Sequence, residues 1–400
     1  MVSRTVFVKI CVGVIFVIAT TSIWSYQSII GPNLSQHNKA ILELYQTPDL
    51  GLGDSDYPRI WIYVSGGFGE GMSKWRHSVS QLLGFARLIN ATLVEPCMHS
   101  GRLYSCQKFP NVTLSSVFSD AEQYMASTVS NRAALMATYD EFKKSLAKQS
   151  NTTELKFCLN KGSCEKTENY FMKPIPFLHN ISKDAFGSGN LVLNIPYYWI
   201  NAFEVDGVKT IKAEPSLIEF HRRHHRKVDE ILHRANITDG KFSIIHWRGE
   251  VKNMDYRECA RKIIQSKSKM VQQTGDITSF PFMLMSSINE DVNAMWGGAK
   301  IMAESSGSSV KEALQMLHRA DFLKLDYLMT ENEKQSLEDF GILAVYELIL
   351  AARSHRFATC TRRDCRNHVC QKCNYPGGFS EYAVDYRQIQ GNKTSDACWP

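Results

Sequence analysis

Apolar residues along the 400-residue chain change period several times, and each change marks an element. Ile10 to Ile30 carries no charged residue and opens on the run ICVGVIFVIA, with Arg4 and Lys9 before it and no Lys or Arg after it until Lys39. A bilayer core takes about 20 mostly apolar residues in a helix, and a positive flank stays cytosolic. The pattern predicts a cytosolic tail over 1–9, a transmembrane signal anchor over 10–30 and a short polar stem over 31–56. A cleaved signal peptide is the alternative, because Thr20, Thr21, Ser22 and Ser25 dilute the end of the run. Either way the remainder is expected in the lumen of the endoplasmic reticulum or Golgi.

The globular body starts at Arg59–Ser65, RIWIYVS, a β-rich run. A glycine turn follows, Gly66-Gly67-Phe68-Gly69-Glu70-Gly71. Over Met72–Ile89 apolar residues then recur at Val79, Leu82, Leu83 and Ala86, the spacing of a helix. Thr92–Val94 reads as a strand ended by Pro96. Strand, glycine turn, helix, strand is the opening of a doubly wound α/β unit. A helix is expected over Arg132–Ala147, a strand over Leu191–Ile195 and a long helix over Pro215–Ala235. The last contains the basic run His221–Lys227, read as a solvated face opposite Leu217, Ile218, Val228, Ile231 and Leu232. A second series begins with the strand Phe242–Trp247 and a helix near Tyr256–Gln273. It continues with strand Phe282–Ser287, helix Val310–Leu317, strand Phe322–Leu325, helix Glu331–Ala352 and the short strand His355–Thr359. Two successive series of similar size predict an α/β chain of two Rossmann-like domains, 57–235 and 236–400.

Charge and cysteine content narrow the function. The net charge of +6 suits a small anionic ligand and lacks the basic stripe of a nucleic-acid binder. N-x-S/T sequons begin at Asn33, Asn90, Asn111, Asn151, Asn180, Asn236 and Asn392, which agrees with a secretory route. Of eleven cysteines, Cys11 lies in the apolar run; the others are even in number and read mainly as disulfides in an oxidising lumen. Cys97/Cys106 and Cys158/Cys164 are near enough to close small loops. The late cluster Cys360, Cys365, Cys370 and Cys373 only half resembles a zinc site; disulfides are expected there, and no metal.

Two segments are candidates for chemistry. A strand feeding the glycine turn lets backbone N–H groups approach an anion, with a helix N-terminus behind them; the bland alternative is a tight connection. His246-Trp247-Arg248-Gly249-Glu250 stands at the C-terminal end of a buried-looking strand, where ligands of open α/β sheets gather. A guanidinium there can fork onto a diphosphate. Alternatively Arg248 and Glu250 form a structural ion pair, with His246 a satisfied core residue.

Together the segments carry a resemblance. Ser65–Pro96, SGGFGEGMSKWRHSVSQLLGFARLINATLVEP, resembles the opening of the GDP-fucose protein O-fucosyltransferase superfamily, and Ile244–Glu250, IIHWRGE, is similar to its second motif. Val345–Cys360 is a fainter third likeness. The resemblance implies a GT-B glycosyltransferase whose two domains face a central cleft. The C-terminal domain would bind the donor and end in a Cys-rich tail. GDP-fucose would be the donor substrate, with inversion at the sugar carbon and no metal cofactor; a protein or glycan hydroxyl would be the acceptor. It also implies that His246 and Arg248 contact the donor, with Arg248 stabilising the departing GDP. Gly66, Gly67, Phe68 and Gly69 would face the diphosphate, and Glu347 would contact the nucleotide. Glu70 is the nearest candidate for a general base, although its family counterpart is an amide. The family's late Ser/Thr-rich contacts are replaced around Thr361–Asp364. Asp54 and Asp56 could suggest a metal-binding pair, but they lie in the stem. Two rivals stay open: an inactive glycan-binding or receptor ectodomain, and a transferase using another nucleotide sugar.

Overall fold

The computed structural model describes residues 59–66, 71–125, 135–148, 151–156, 189–196, 204–205, 208–209, 212–214, 217–249, 254–274, 280–286, 288, 308–337, 339–360, 373 and 377–392. Tyr57–Pro400 form one compact unit. The expected anchor over 10–30, the stem and the Cys158/Cys164 loop lie outside the described residues. Among those residues no helix is long and apolar enough to cross a membrane.

The first half holds β1 (Arg59–Val64), α1 (Met72–Leu88), β2 (Thr92–Val94) and a hairpin of β3 (Cys97–His99) and β4 (Arg102–Tyr104). β5 (Met136–Ala137), α2 (Tyr139–Lys148), β6 (Thr152–Lys156) and β7 (Asn190–Ile195) follow. Five strands form a parallel sheet in the order β5-β2-β1-β7-β6. Alternation along β1 sends Ile60, Ile62 and Val64 into the largest core. It sends Trp61 to the other face, edge-on to Phe142 of α2 at 5.2 Å. A parallel sheet covered on both faces needs this pattern. α1 buries Trp75, Val79, Leu82, Leu83 and Ala86. It ends where Asn90 turns to φ 51° and the Ala91 N–H closes onto the Ala86 carbonyl at 2.8 Å. The helix expected over Arg132–Ala147 starts later than its pattern suggested. Met136–Ala137 instead pair with Leu93 and Val94 as an edge strand, and Thr138 with Glu141 forms the capping box that opens α2.

α3 (Arg222–Arg234) closes the first half, and the second contains β8 (Ser243–Trp247), α4 (Tyr256–Thr274), β9 (Phe282–Ser286) and α5 (Ser308–Arg319). β10 (Phe322–Lys324), α6 (Phe340–Arg353), β11 (Arg356–Ala358) and α7 (Gly378–Ile389) complete it. Its sheet is again parallel, in the order β10-β9-β8-β11. Ile244, Met283 and Phe357 join the largest core, while Ile245, Trp247 and Leu284 pack on α4 and α5.

Two expected helices are shorter than their apolar patterns. α3 begins after His221 because Phe220 is held in a bridge to Phe118, and Asp120 accepts hydrogen bonds from the Ile218 and Glu219 N–H groups. The helix expected over Glu331–Ala352 is broken. Thr330 caps a short helix, Glu331–Gln335, and the Asp339 carboxylate then accepts the Gly341 N–H at 2.6 Å to start α6.

The basic run behaves as a partly solvated face. His224 turns inward to the Ser116 carbonyl at 3.0 Å, and Lys227 and Arg234 pair with Glu333. Cys97 and Cys106 are bonded as expected. The late cluster is not self-contained: Cys373 bonds to Cys259 of α4, and Cys360 is disulfide-bonded too. Cys365 and Cys370 lie outside the described residues.

Candidate functional site

β8 is the first strand of its sheet, and its two neighbours, β9 and β11, lie on opposite sides of it. The chain order reverses at that point, and a crevice opens at the carboxyl ends of such strands. His246 and Arg248 lie two residues apart at this end, on the same face by the period of a strand.

His246 is 4% exposed. Its Nδ1 lies 2.9 Å from the Thr359 hydroxyl, just beyond β11, and 3.2 Å from the Ser380 hydroxyl in the first turn of α7. Phe357 and Phe379 flank the ring. Burial pushes its pKa down to about 3, and the Arg248 charge adds to the effect. The imidazole is therefore neutral at every physiological pH and does not act as an acid. It ties the end of β8 to β11 and to α7.

Arg248 is half-buried, and its guanidinium lies against the backbone of Gly377. A Cβ at Gly377 would collide with Nη1, so the absence of a side chain is what admits the arginine. Gly377 is also the N-cap of α7, and no side chain caps that helix. Its first-turn N–H groups thus stand beside a guanidinium, and both favour negative charge. The Cys259–Cys373 disulfide and the hydrogen bond from Trp247 Nε1 to the Cys373 carbonyl, 2.7 Å, fix the chain just upstream of Gly377. At the other end of α7, Arg387 donates to the Ala351 and Ser354 carbonyls of the α6 terminus, the latter at 2.9 Å. The helix is held at both ends.

The other predicted residues are not gathered here. Gly66 has a packing reason of its own, since a Cβ there would run into the Pro196 carbonyl. Gly67, Phe68, Gly69, Glu70 and Glu250 lie outside the described residues. Glu347 sits on α6 within the field of Lys324 and Asp326 at the end of β10. β10 is two strands from β8, about 10 Å at ordinary spacing. Burial pushes Glu347 up to about 8; Asp326 adds to the rise and Lys324 opposes it. Lys324 itself donates to the Ile288 carbonyl at 3.0 Å.

Sequence reasoning missed Thr359, Ser380 and Gly377, and with them all of α7. A signal for the helix was present, because Phe379, Tyr382, Ala383 and Tyr386 follow the Gly377-Gly378 pair at helical spacing.

No protein-family model matches the sequence, and no curated protein matches it. Among solved structures the chain is similar to the apo form of POFUT1, with TM-score 0.40 and 10% identity over 86% of this chain and 98% of that one. It is similar to POFUT1 in complex with GDP at TM-score 0.39 and 12% identity, over 86% of this chain and 99% of that one. For POFUT1 in complex with GDP-fucose the values are 0.37 and 11%, over 87% and 97%.

Proposed function

We propose that this chain is a glycosyltransferase of the secretory pathway that transfers a sugar, in the first instance fucose from GDP-fucose, to a protein or glycan hydroxyl. The domains are the two Rossmann-like halves 57–235 and 236–400 in a GT-B arrangement, tethered to the membrane of the Golgi or endoplasmic reticulum by the anchor over 10–30. The observation that carries the reading is the meeting of Arg248 with the glycine-capped, side-chain-free start of α7 at the reversal point of a parallel sheet. Glycosyl transfer passes through an oxocarbenium-like state while negative charge grows on the leaving diphosphate. A fixed guanidinium and preorganised N–H groups stabilise that charge without reorganising, which is worth about 10²–10³ in rate for one donor. His246 stays neutral and adds no competing positive charge; it holds Arg248's strand against α7. Glu70 is the proposed base for the acceptor hydroxyl, Gly66–Gly69 the turn facing the diphosphate and Glu347 a nucleotide contact. No resident metal is required.

The test is calorimetry with GDP, UDP and CMP on the full-length chain, with and without EDTA, followed by donor hydrolysis by Arg248→Lys and Arg248→Ala. We expect GDP to bind independently of EDTA and Arg248→Ala to lose about 10²-fold or more in kcat. Arg248→Lys should also lose turnover, because an ammonium cannot reproduce the fork. Binding of GDP without hydrolysis favours the inactive ectodomain. Tighter binding of UDP or CMP favours another donor. A folded Arg248→Ala protein with parental turnover removes the mechanism.

A further inference from the structure

Arg76, in the second turn of α1, is a buried cation with no acid beside it. Its side chain is 5% exposed, and no carboxylate among the described residues lies within ion-pair distance. Its Nε has no hydrogen-bond partner. The guanidinium carbon lies 3.7 Å from the ring centroid of Tyr382, in the second turn of α7, whose hydroxyl is also buried. The acid whose field reaches Tyr382 is Asp120; its Oδ2 accepts from the Ile218 and Glu219 N–H groups, and its Oδ1 is itself buried without a partner and makes no ion pair with Arg76. Stacking on one phenol offsets only part of the cost of drying a guanidinium. Among the described residues the arginine therefore has no anion bonded to it.

Its surroundings indicate which anion. α1 packs on α7, and both helices start from a glycine with no side-chain cap, Gly71 and Gly377. α1 carries no acid in its first turn. Arg76 is about 6 Å along the axis from the start of α1, and Tyr382 a similar distance from the start of α7. Arg248 covers Gly377 at that same end of α7. Arg76 thus lies over the second turn of α7 and Arg248 against its start, about one and a half turns apart along that helix, which suits a ligand with two adjacent anionic groups. We propose that Arg76 is a second anion-binding arginine which, with Arg248, clamps the diphosphate of the sugar donor, Tyr382 serving as the ledge that fixes its plane. The proposal rests on the glycosyltransferase reading for the identity of the ligand, but not for its charge.

The test uses the full-length chain and inorganic pyrophosphate, titrated by calorimetry, with the melting temperature recorded without ligand. Arg76→Met keeps the length of the side chain and removes the charge. We expect it to melt at or above the parent, because an uncompensated cation leaves the interior, and to bind pyrophosphate at least tenfold more weakly. Arg76→Lys should retain part of the affinity. A parent that does not bind pyrophosphate overturns the proposal. So does an Arg76→Met protein that binds it as the parent does, or one whose melting temperature falls while its affinity is kept, the signature of a purely structural arginine. GDP measured on the same proteins separates the two readings. If GDP binds no tighter than pyrophosphate while Arg76→Met weakens both, the clamp stands and the nucleotide donor fails. If Arg76→Met matches the parent and Arg248→Met does not, the donor reading stands and the clamp fails.

Discussion

The carboxyl ends of β1 and β8 occupy equivalent places, each on a first strand flanked by later ones, yet they are built on different principles. At the end of β1 a missing side chain is explained locally: Gly66 leaves room for the Pro196 carbonyl beside β7. At the end of β8 the side chains present define the place, and their partners come from far away. Thr359 and Ser380 reach His246 across 113 and 134 residues of sequence. A glycine in a suggestive motif can thus be satisfied by packing alone, whereas a neutral histidine and a guanidinium on a helix start need a purpose-built surround.

Two alanine substitutions sharpen that contrast most. Gly377→Ala puts a methyl group where Nη1 of Arg248 lies, at the far end of a flexible side chain that can swing away. Donor hydrolysis should fall tenfold or more with little change in melting temperature. Gly66→Ala meets a backbone carbonyl that cannot swing, so its cost should appear first as stability, about 1–3 kcal/mol in denaturant titration. The contrast breaks if Gly377→Ala unfolds the protein while leaving the turnover of folded molecules intact.

The next effect is on the pH dependence of stability. His246, held down to about 3, stays neutral in the native state while an unfolded histidine protonates below 6.5, so stability falls as pH drops from 6.5 towards 3. Glu347, pushed up to about 8, keeps its proton in the native state while the unfolded carboxyl loses it above 4.5. Its burial therefore erodes stability as pH rises from 4.5 to 8. Glu347→Gln should flatten that limb and raise the melting temperature at pH 8 by a few degrees, leaving the acid limb unchanged. An identical alkaline decline in the variant would remove Glu347 as its source.

The smallest effect concerns glycans on protein expressed through a secretory pathway. Asn90, Asn111 and Asn151 are exposed, whereas the Asn392 amide donates to the Ala352 and Ser354 carbonyls at 3.2 and 3.1 Å. Glycopeptide mass spectrometry should find the first three occupied and Asn392 bare. A glycan on Asn392 would mean that the end of α7 beside α6 is looser than the hydrogen bonds imply, and the β8 site with it.

Much of the scaffold was legible because its signals are local. β1, β2, β7, β8 and β9 fall within a residue or so of their apolar runs, and α1, α4 and the core of α3 follow their helical spacing. The edge strand β5 was not legible, since two residues become a strand only by pairing with β2. Nor was the break before α6, where the apolar period gives way to an aspartate cap.

By itself the sequence determined the alternation of strand and helix, the nomination of His246 and Arg248, and the Cys97–Cys106 loop. Each is written in spacing over a few residues. Tertiary structure alone decided that Cys373 bonds to Cys259, that α7 starts against Arg248, that Arg76 lies over Tyr382 and that His246 is neutral. Those outcomes depend on which groups are buried together, and burial sets both the cost of a charge and the partner that relieves it.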